Sequence, residues 1–196
     1  EAREARATGE VIAAAGAVQS PQLLELSGIG RPAILKAHGI DVQHALDGVG
    51  ENYRDHFGTR MNWRVKLPIT LNEQTRGLRF VGEVLKYFLT RRGILTLSAG
   101  VAHGFVKSRP ELATPDIQYA FGHASYATAA DRKFDSKPGM TVAVYQLRPE
   151  SQGSIHVRSA DPHAAPAIRP NFLAEEVDRV CLIEGMKIAR RIVENP

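Results

Sequence analysis

Apolar positions in the first 57 residues recur in short runs separated by glycines and capping residues, as in an α/β domain. Residues 10–15 (EVIAAA) form an apolar run that predicts a strand. The next run predicts a helix with Ser20 at its N-cap and Pro21 at the first helical position, because the hydroxyl can accept a first-turn N–H and proline has a helical φ. Glycines end this helix, and a second helix is predicted over 32–38. The pattern therefore predicts one part of an α/β domain.

From about residue 59 the apolar positions recur at every second residue, which is the period of a strand with one buried face. The alternating positions are Met61, Trp63 and Val65; Ile117, Tyr119 and Phe121; Val142, Val144 and Gln146; and Ile155 and Val157. The intervening stretch 78–92 has its apolar residues on one helical stripe, so we expect this helix to pack on the sheet. Residues 123–139 are polar and predict a mobile loop near the sheet face. The second part of the chain is thus predicted as a half-buried sheet with a covering helix.

Composition excludes several classes of protein. With 196 residues, 43% of them hydrophobic, the chain is long and apolar enough to form a folded core. The 25 basic residues outnumber the 21 acidic ones by four, but they are scattered without interleaved aromatic residues, which argues against a nucleic-acid partner. No apolar run reaches the roughly 18 residues of a membrane span. The single cysteine, Cys181, excludes an internal disulfide, which favours a reducing, cytoplasmic location, and its side chain is expected to be a small buried hydrophobic group.

Three polar residues in the run GVGENYRDHF, namely Asn52, Asp55 and His56, are candidates for an acid–base or metal site. Adjacent side chains cannot easily share one metal ion, and no other histidine lies at an HxxxH spacing from His56. A structural role is therefore favoured, and no metal site is predicted.

None of the seven histidines lies in a sequence context that identifies a general base. His156 lies in an alternating strand and is expected to face water, whereas His123 is expected to be solvated or structural. No GxSxG motif accompanies the serines, which argues against a hydrolase. No catalytic residue is predicted within the chain.

The run GAVQSPQLLELSGIG, residues 16–30, joins the first predicted strand to the first predicted helix. On spacing alone an ordinary strand–turn–helix unit is favoured, since such turns are common. The complete run, however, resembles the second sequence signature of the GMC (glucose-methanol-choline) flavoprotein oxidoreductases at Gly16, Ala17, Ser20, Pro21, Leu23, Leu24, Ser27, Gly28, Ile29 and Gly30. The resemblance continues through RPAILKAHGIDVQHALDGVGENYRDH, with Asp47 where the family usually has proline, and through AGVAHGFVKS, PDIQYAF and SQGSIHVRSADPHAAPAIRPNF. It covers nearly the whole chain.

This resemblance implies an α/β plus α+β architecture. Residues 1–57 would be part of a Rossmann-like FAD-binding domain, and residues 58–150 an antiparallel-sheet substrate-binding domain with covering helices. Residues 151–196 would end the substrate domain and begin the C-terminal GMC region. The resemblance also implies an internal piece of a longer enzyme, since the family's N-terminal GxGxxG and C-terminal catalytic histidine are not found here.

The implied cofactor is FAD. The resemblance assigns cofactor-proximal positions to Ala15, Gly16, Ala17, Ser20 and Pro21, and a role in shaping the flavin environment to Asn52, Asp55 and His56. Aromatic residues in strands more often belong to a core, but Phe121 and Tyr145 are the candidates for the substrate pocket.

The implied function is that of a choline- or alcohol-dehydrogenase-like enzyme. Such an enzyme oxidises the CH–OH group of a small-molecule alcohol to an aldehyde or ketone by hydride transfer to flavin, with its proton acceptor beyond residue 196. The piece by itself is expected to be inactive, and the electron acceptor is not indicated. Two alternatives stay open: a FAD-containing lyase on the same scaffold, and a non-catalytic α/β binding module.

Overall fold

The computed structural model describes residues 4, 6–98, 100–128 and 133–195. The α-helices are α1 (Gly16–Leu26), α2 (Pro32–Ala37), α3 (Leu71–Gln74), α4 (Gly77–Thr90) and α5 (Glu176–Glu194). The strands are β1 (Ile29–Gly30), β2 (His44–Ala45), β3 (Gly58–Arg64), β4 (Ala102–Val106), β5 (Ile117–Gly122), β6 (Tyr126–Thr128), β7 (Lys133–Phe134), β8 (Gly139–Gln146), β9 (Ser154–His156) and β10 (Ala167–Arg169). They form two compact units, Glu1–Asp55 with Ser151–Ala174, and His56–Glu150 with Glu175–Pro196. The predicted segment 151–196 is thus divided between the two units.

The first unit consists of α1, α2 and two small sheets. β1 and β2 pair in parallel, and β9 and β10 pair antiparallel. Its buried apolar residues are Leu35, Val49, Ile155 and Val157. Gln22 of α1 donates a hydrogen bond to the carbonyl of Ala164 at 2.8 Å, which fastens the helix to the later segment of the same unit.

Helix α1 begins earlier than the sequence predicts. Its N-cap is Ala15, and Pro21 lies inside the helix, so the predicted N-cap at Ser20 and first position at Pro21 are wrong. The reason is Gly16, whose φ of +86° turns the chain into the helix before Ser20 is reached. The predicted glycine at the other end is confirmed, because Gly28 has a φ of +79° and its N–H bonds to the carbonyl of Glu25.

The predicted strand over residues 10–15 is wrong. This segment has no regular secondary structure, and the side chains of Val11 and Ile12 are 88% and 80% exposed. An apolar run becomes a strand only where another strand satisfies its backbone hydrogen bonds, and no strand of the described residues pairs with this one.

The second unit contains the predicted half-buried sheet, which is antiparallel with strand order β3–β8–β5–β4. On one face, Ile117 and Val144 pack against Gly185 of α5, where a side chain at position 185 would lie only 2.8 Å from each. The Tyr119 hydroxyl donates to the carbonyl of Gly185 at 2.7 Å, and burial raises the pKa of Tyr119 to about 12. This face, with the buried Cys181, is the core of the unit.

Helix α4 forms over almost the predicted residues but does not pack on the sheet, so that expectation is wrong. None of the side chains of α4 is buried, and Leu78 and Leu89 are 90% and 82% exposed. An apolar stripe shows which face of a helix is ready for burial but not which surface covers it. Helix α5, and not α4, covers the sheet.

The segment predicted as a mobile polar loop, 123–139, contains the hairpin β6–β7 and is fastened by a buried residue, so that prediction is wrong for its described part. The amide nitrogen of Asn72 donates to the carbonyls of Ser125 and Asp135 at 2.8 and 3.1 Å, and its amide oxygen accepts the N–H of Ser125 at 3.0 Å. Asn72 is fully buried. Polar composition did not reveal this anchor, because it lies more than 50 residues away in the sequence.

Candidate functional site

A hollow of about 370 Å³, here called the α1 hollow, lies beside the first turns of α1. Its lining residues are Ala17, Pro21, Gly50, Glu51, Asn52, Tyr53, Arg54 and Ile155. Three of the sequence-predicted cofactor residues, Ala17, Pro21 and Asn52, therefore meet at one place although they lie about 35 residues apart in the sequence.

The wall of the α1 hollow is held by close backbone contacts. Gly50, with a φ of +78°, accepts the N–H of Ile155 at 2.7 Å, and a side chain at position 50 would lie 2.2 Å from the carbonyl oxygen of Ile155. Tyr53 and Gly153 exchange hydrogen bonds of 3.0 and 2.8 Å. Between these contacts Asn52 has a φ of +60°, a left-handed conformation that asparagine adopts more readily than most residues. The chain is thereby fixed next to α1.

The other predicted cofactor residues have different positions. Ala15 caps α1, and Gly16 begins it with open space where a side chain would project. Ser20 lies within α1, and Asp55 accepts a hydrogen bond from the Tyr53 hydroxyl at 3.0 Å. None of these four is among the described residues that line the α1 hollow, and His56 belongs to the second unit.

A network of charged side chains behind the α1 hollow was missed by the sequence analysis. His156 was expected to face water, which is wrong: its side chain is 16% exposed and lies between two carboxylates. Its Nδ1 is 2.7 Å from Oε1 of Glu25, and its Nε2 is 3.2 Å from Oε1 of Glu51. The second oxygen of the fully buried Glu25 accepts the N–H of Val157, and Arg31 lies 2.9 Å from Glu51.

Each ring nitrogen of His156 faces a carboxylate oxygen, so the ring joins Glu25 and Glu51 in one network. Gly50 makes the arrangement possible, because a side chain there would lie 2.6 Å from Nδ1 of His156. Glu25, which lies between Leu24 and Leu26 in α1, was the signal that could have revealed it.

A second hollow of about 300 Å³, here called the sheet hollow, lies within the second unit. Its lining residues are Arg60, Leu71, Gly100, Ala120, Phe121, Gly122, Ala124, Tyr126, Phe134, Thr141, Ala143 and Tyr145. In the strand register Arg60 lies opposite Ala143, and Ala143 opposite Ala120. Two small side chains in the middle of a sheet leave room that larger residues would fill.

Both predicted substrate-pocket residues, Phe121 and Tyr145, line the sheet hollow. The ring of Tyr145 lies against Gly58, where an added side chain would be 2.3 Å from the ring. Phe121 pairs with Val142 across the ladder, so strand alternation places its side chain on the sheet face that carries Ile117 and Val144. The side chain of Tyr145 lies on the opposite face. Tyr145 is therefore the better placed of the two for a ligand on the open face.

His123 follows β5 in the second unit. Both of its ring nitrogens are buried, and neither has a hydrogen-bond partner within the part of the chain that the structure describes. Burial lowers the pKa of His123, so the neutral ring is favoured there.

Comparison with known proteins supports the assignment of these regions. Two family models described as GMC oxidoreductase, one N-terminal and one C-terminal, match residues 1–58 and 149–196. The chain is 39% identical over 193 residues to an alcohol dehydrogenase (acceptor) of Pseudomonas putida, covering 96% of this chain and 34% of that protein. It is 38% identical over 191 residues to an oxygen-dependent choline dehydrogenase of Photobacterium profundum, covering 97% and 33%.

Solved structures give the same result for the fold. A variant of the Aspergillus oryzae formate oxidase, studied for modification of its FAD, matches with a TM-score of 0.79 at 25% identity, covering 92% of this chain and 36% of that one. The chain thus spans about a third of the length of the relatives it matches. Within the described residues, no helix has the length and apolar character needed to cross a membrane. The fold and the family predicted from the sequence are confirmed: the chain belongs to the GMC oxidoreductases, a family of FAD-dependent flavoproteins.

Proposed function

We propose that this chain forms one wall of the flavin site and the substrate-binding sheet of an FAD-dependent enzyme that oxidises a CH–OH group to an aldehyde or ketone. The observation that carries the proposal is the meeting of Ala17, Pro21 and Asn52 at the α1 hollow. These residues belong to the two sequence segments that resemble the family's flavin-adjacent motifs. FAD, when bound, supplies the hydride acceptor.

The residues around α1 fit part of FAD. Gly16 has open space where a side chain would project, and Ala17 and Gly50 present almost no side chain, so a flat or extended cofactor could lie against the backbone. The N-terminal turn of α1 offers amides without intrahelical partners, which favour an anionic group. A hollow of about 370 Å³ holds one portion of the dinucleotide and not the whole of it. We assign Ala15, Ser20, Asp55 and His56 to the surroundings of the same cofactor.

The sheet hollow supplies the substrate side of the proposal. Both Phe121 and Tyr145 line it, and Tyr145, on the open face of the sheet, gives it an aromatic wall that can exclude water from the substrate carbon. Alcohol oxidation also requires a base for the hydroxyl proton. No residue of this chain is assigned that role, so we place it elsewhere in the enzyme that carries this chain. The substrate is a small-molecule alcohol.

Filling the α1 hollow tests the proposal. Ala17→Leu adds a side chain to its lining, and overpacking of about 1–3 kcal/mol predicts a roughly 5- to 150-fold loss of FAD affinity. Flavin content after purification and titration of the apoprotein with FAD measure the effect. Ala160→Leu, at an exposed loop position of the same unit, is the control and should leave FAD binding unchanged.

Anaerobic mixing with alcohols separates the alternatives. Loss of the oxidised flavin absorbance supports the oxidoreductase, whereas bound flavin that no alcohol reduces favours the lyase. Absence of FAD from both the wild-type protein and the control favours the non-catalytic binding module. We also propose a cytoplasmic location, supported by the single buried Cys181, and cell fractionation tests it.

A further inference from the structure

We propose that Arg60, with Tyr145 beside it, binds an anionic group of the substrate, so that the preferred alcohols carry a carboxylate. This inference rests on the proposed function and names the substrate class of the same site. It makes Arg60 a specificity-determining residue.

The charge of the sheet hollow carries the inference. Among the described residues that line it, Arg60 is the one with a charge, and no acidic side chain accompanies it. Arg64, two residues later on β3, is paired with Asp135 at 2.7 Å, and Arg76 donates to the carbonyls of Phe134 and Asp135 at 3.2 and 2.8 Å. The side chain of Arg60 makes neither a hydrogen bond nor an ion pair within the described part of the chain, so the five N–H donors of its guanidinium are available to a ligand.

The neighbourhood of Arg60 suits a ligand. Its partner across the ladder is Ala143, whose small side chain leaves the guanidinium accessible from the hollow. Tyr145 is two residues further along β8, at the diagonal spacing over which long side chains on neighbouring strands can meet. Its hydroxyl likewise has no hydrogen-bond partner among the described residues, so it offers a second donor.

Arg60 and Tyr145 also border a second, adjoining hollow of about 420 Å³ together with Gly58 and Thr59. The two side chains therefore lie between two open spaces, and a ligand in either space can reach them. A ligand can therefore reach the guanidinium of Arg60 without displacing a side chain of the described residues from it.

The chemistry of this pair selects by charge. A carboxylate can accept two parallel hydrogen bonds from one guanidinium and a third from a phenol hydroxyl. A quaternary ammonium requires aromatic faces or negative charge and would be repelled by Arg60. We therefore expect hydroxycarboxylates to be oxidised more efficiently than neutral alcohols, and neutral alcohols more efficiently than cationic ones.

The test uses the flavin-loaded enzyme that carries this chain with three probes, 6-hydroxyhexanoate, 1-hexanol and choline. Arg60→Ala should lower kcat/KM for 6-hydroxyhexanoate by about 10- to 150-fold, because a hydrogen bond to a charged group is lost. It should change kcat/KM for 1-hexanol by less than about threefold. Arg60→Lys should restore part of the loss, because it keeps the charge but not the paired donors. Arg79→Ala removes an exposed charge from α4 and should change neither substrate.

Equal losses on 6-hydroxyhexanoate and 1-hexanol would overturn the inference, as would a wild-type preference for choline. If Arg60→Ala does not fold, Arg60→Gln keeps the side-chain stem and carries the same expectation. If no alcohol reduces the flavin, the proposed oxidoreductase function fails by itself. Binding of hexanoate, followed through the flavin spectrum, then still decides the inference, since loss of that binding in Arg60→Gln supports it and unchanged binding overturns it.

Discussion

The α1 hollow is bounded by backbone segments that approach one another closely, whereas the sheet hollow exists because small side chains occupy the middle of a sheet. In the first, Gly50 lets one chain segment lie against Ile155. In the second, Ala120 and Ala143 leave space, and Arg60 and Tyr145 line it. A wall of backbone binds what every enzyme of a family shares, while a wall of side chains can change from one substrate to another. This difference agrees with the proposed assignment of cofactor binding to the α1 hollow and of substrate selectivity to the sheet hollow.

The largest effect is expected where the backbone contact of the α1 hollow is broken. Gly50→Ala would place a methyl group 2.2 Å from the Ile155 carbonyl oxygen in a left-handed conformation, so we expect a loss of about 3–5 kcal/mol in the free energy of unfolding. Urea denaturation followed by circular dichroism measures it. Gly48→Ala, where a side chain would meet nothing within 4 Å, is the control and should cost less than about 1 kcal/mol. Similar values for the two variants would contradict the backbone account.

A smaller loss is expected from the charged network behind the same hollow. Glu25→Gln removes the charge that faces His156 and replaces one acceptor of Glu25 by a donor, so we expect destabilisation by about 1–3 kcal/mol. Urea denaturation followed by circular dichroism measures it.

The control for this variant is Glu10→Gln, which changes an exposed carboxylate in the irregular N-terminal segment. It should leave the free energy of unfolding within about 0.5 kcal/mol of that of the parent protein. An equally small change in Glu25→Gln would contradict a stabilising role for the network.

An effect on stability no larger than that of Glu25→Gln is expected at the sheet hollow. Gly58→Ala would place a methyl group 2.3 Å from the ring of Tyr145, but that side chain can rotate away, so we expect a loss of only about 1–3 kcal/mol. The displaced ring should also raise KM for the alcohol substrate more than it lowers kcat. Gly104→Ala in the same sheet meets Tyr119 at an ordinary 3.8 Å and should change neither stability nor KM measurably. An unchanged KM in Gly58→Ala would separate Tyr145 from substrate binding.

Prediction from the sequence is correct where local preferences decide the structure. The period-two pattern predicted the strands of the sheet because one of its faces is buried, and glycine predicted the end of α1 because Gly28 needs a positive φ. It failed at the start of α1, where Ser20 and Pro21 are ordinary capping residues but Gly16 turns the chain earlier. Local preference offers several starting points, and the fold uses one of them.

Contacts between distant segments were the other source of error. The partners of His156 are Glu25 and Glu51, each more than 100 residues away in the sequence. Strand alternation alone predicted that the His156 side chain faces water. The apolar stripe of α4 predicted burial, but α5 covers the sheet. Asn72 anchors a segment whose composition resembles a loop. In each case the pattern gave the chemical character of a residue but not its partner.

The sequence by itself determined the family, the change from α/β to antiparallel-sheet architecture and the two segments that meet at the α1 hollow. Those features depend on short motifs, on hydrophobic period and on glycine positions, all of which act within a few residues. Only the tertiary structure decided that Arg60 lines a hollow together with Ala120 and Ala143, and that no acidic side chain is among the described residues lining it. Strand register brings such residues together, and register depends on the packing of a whole sheet face and not on the identity of any single residue.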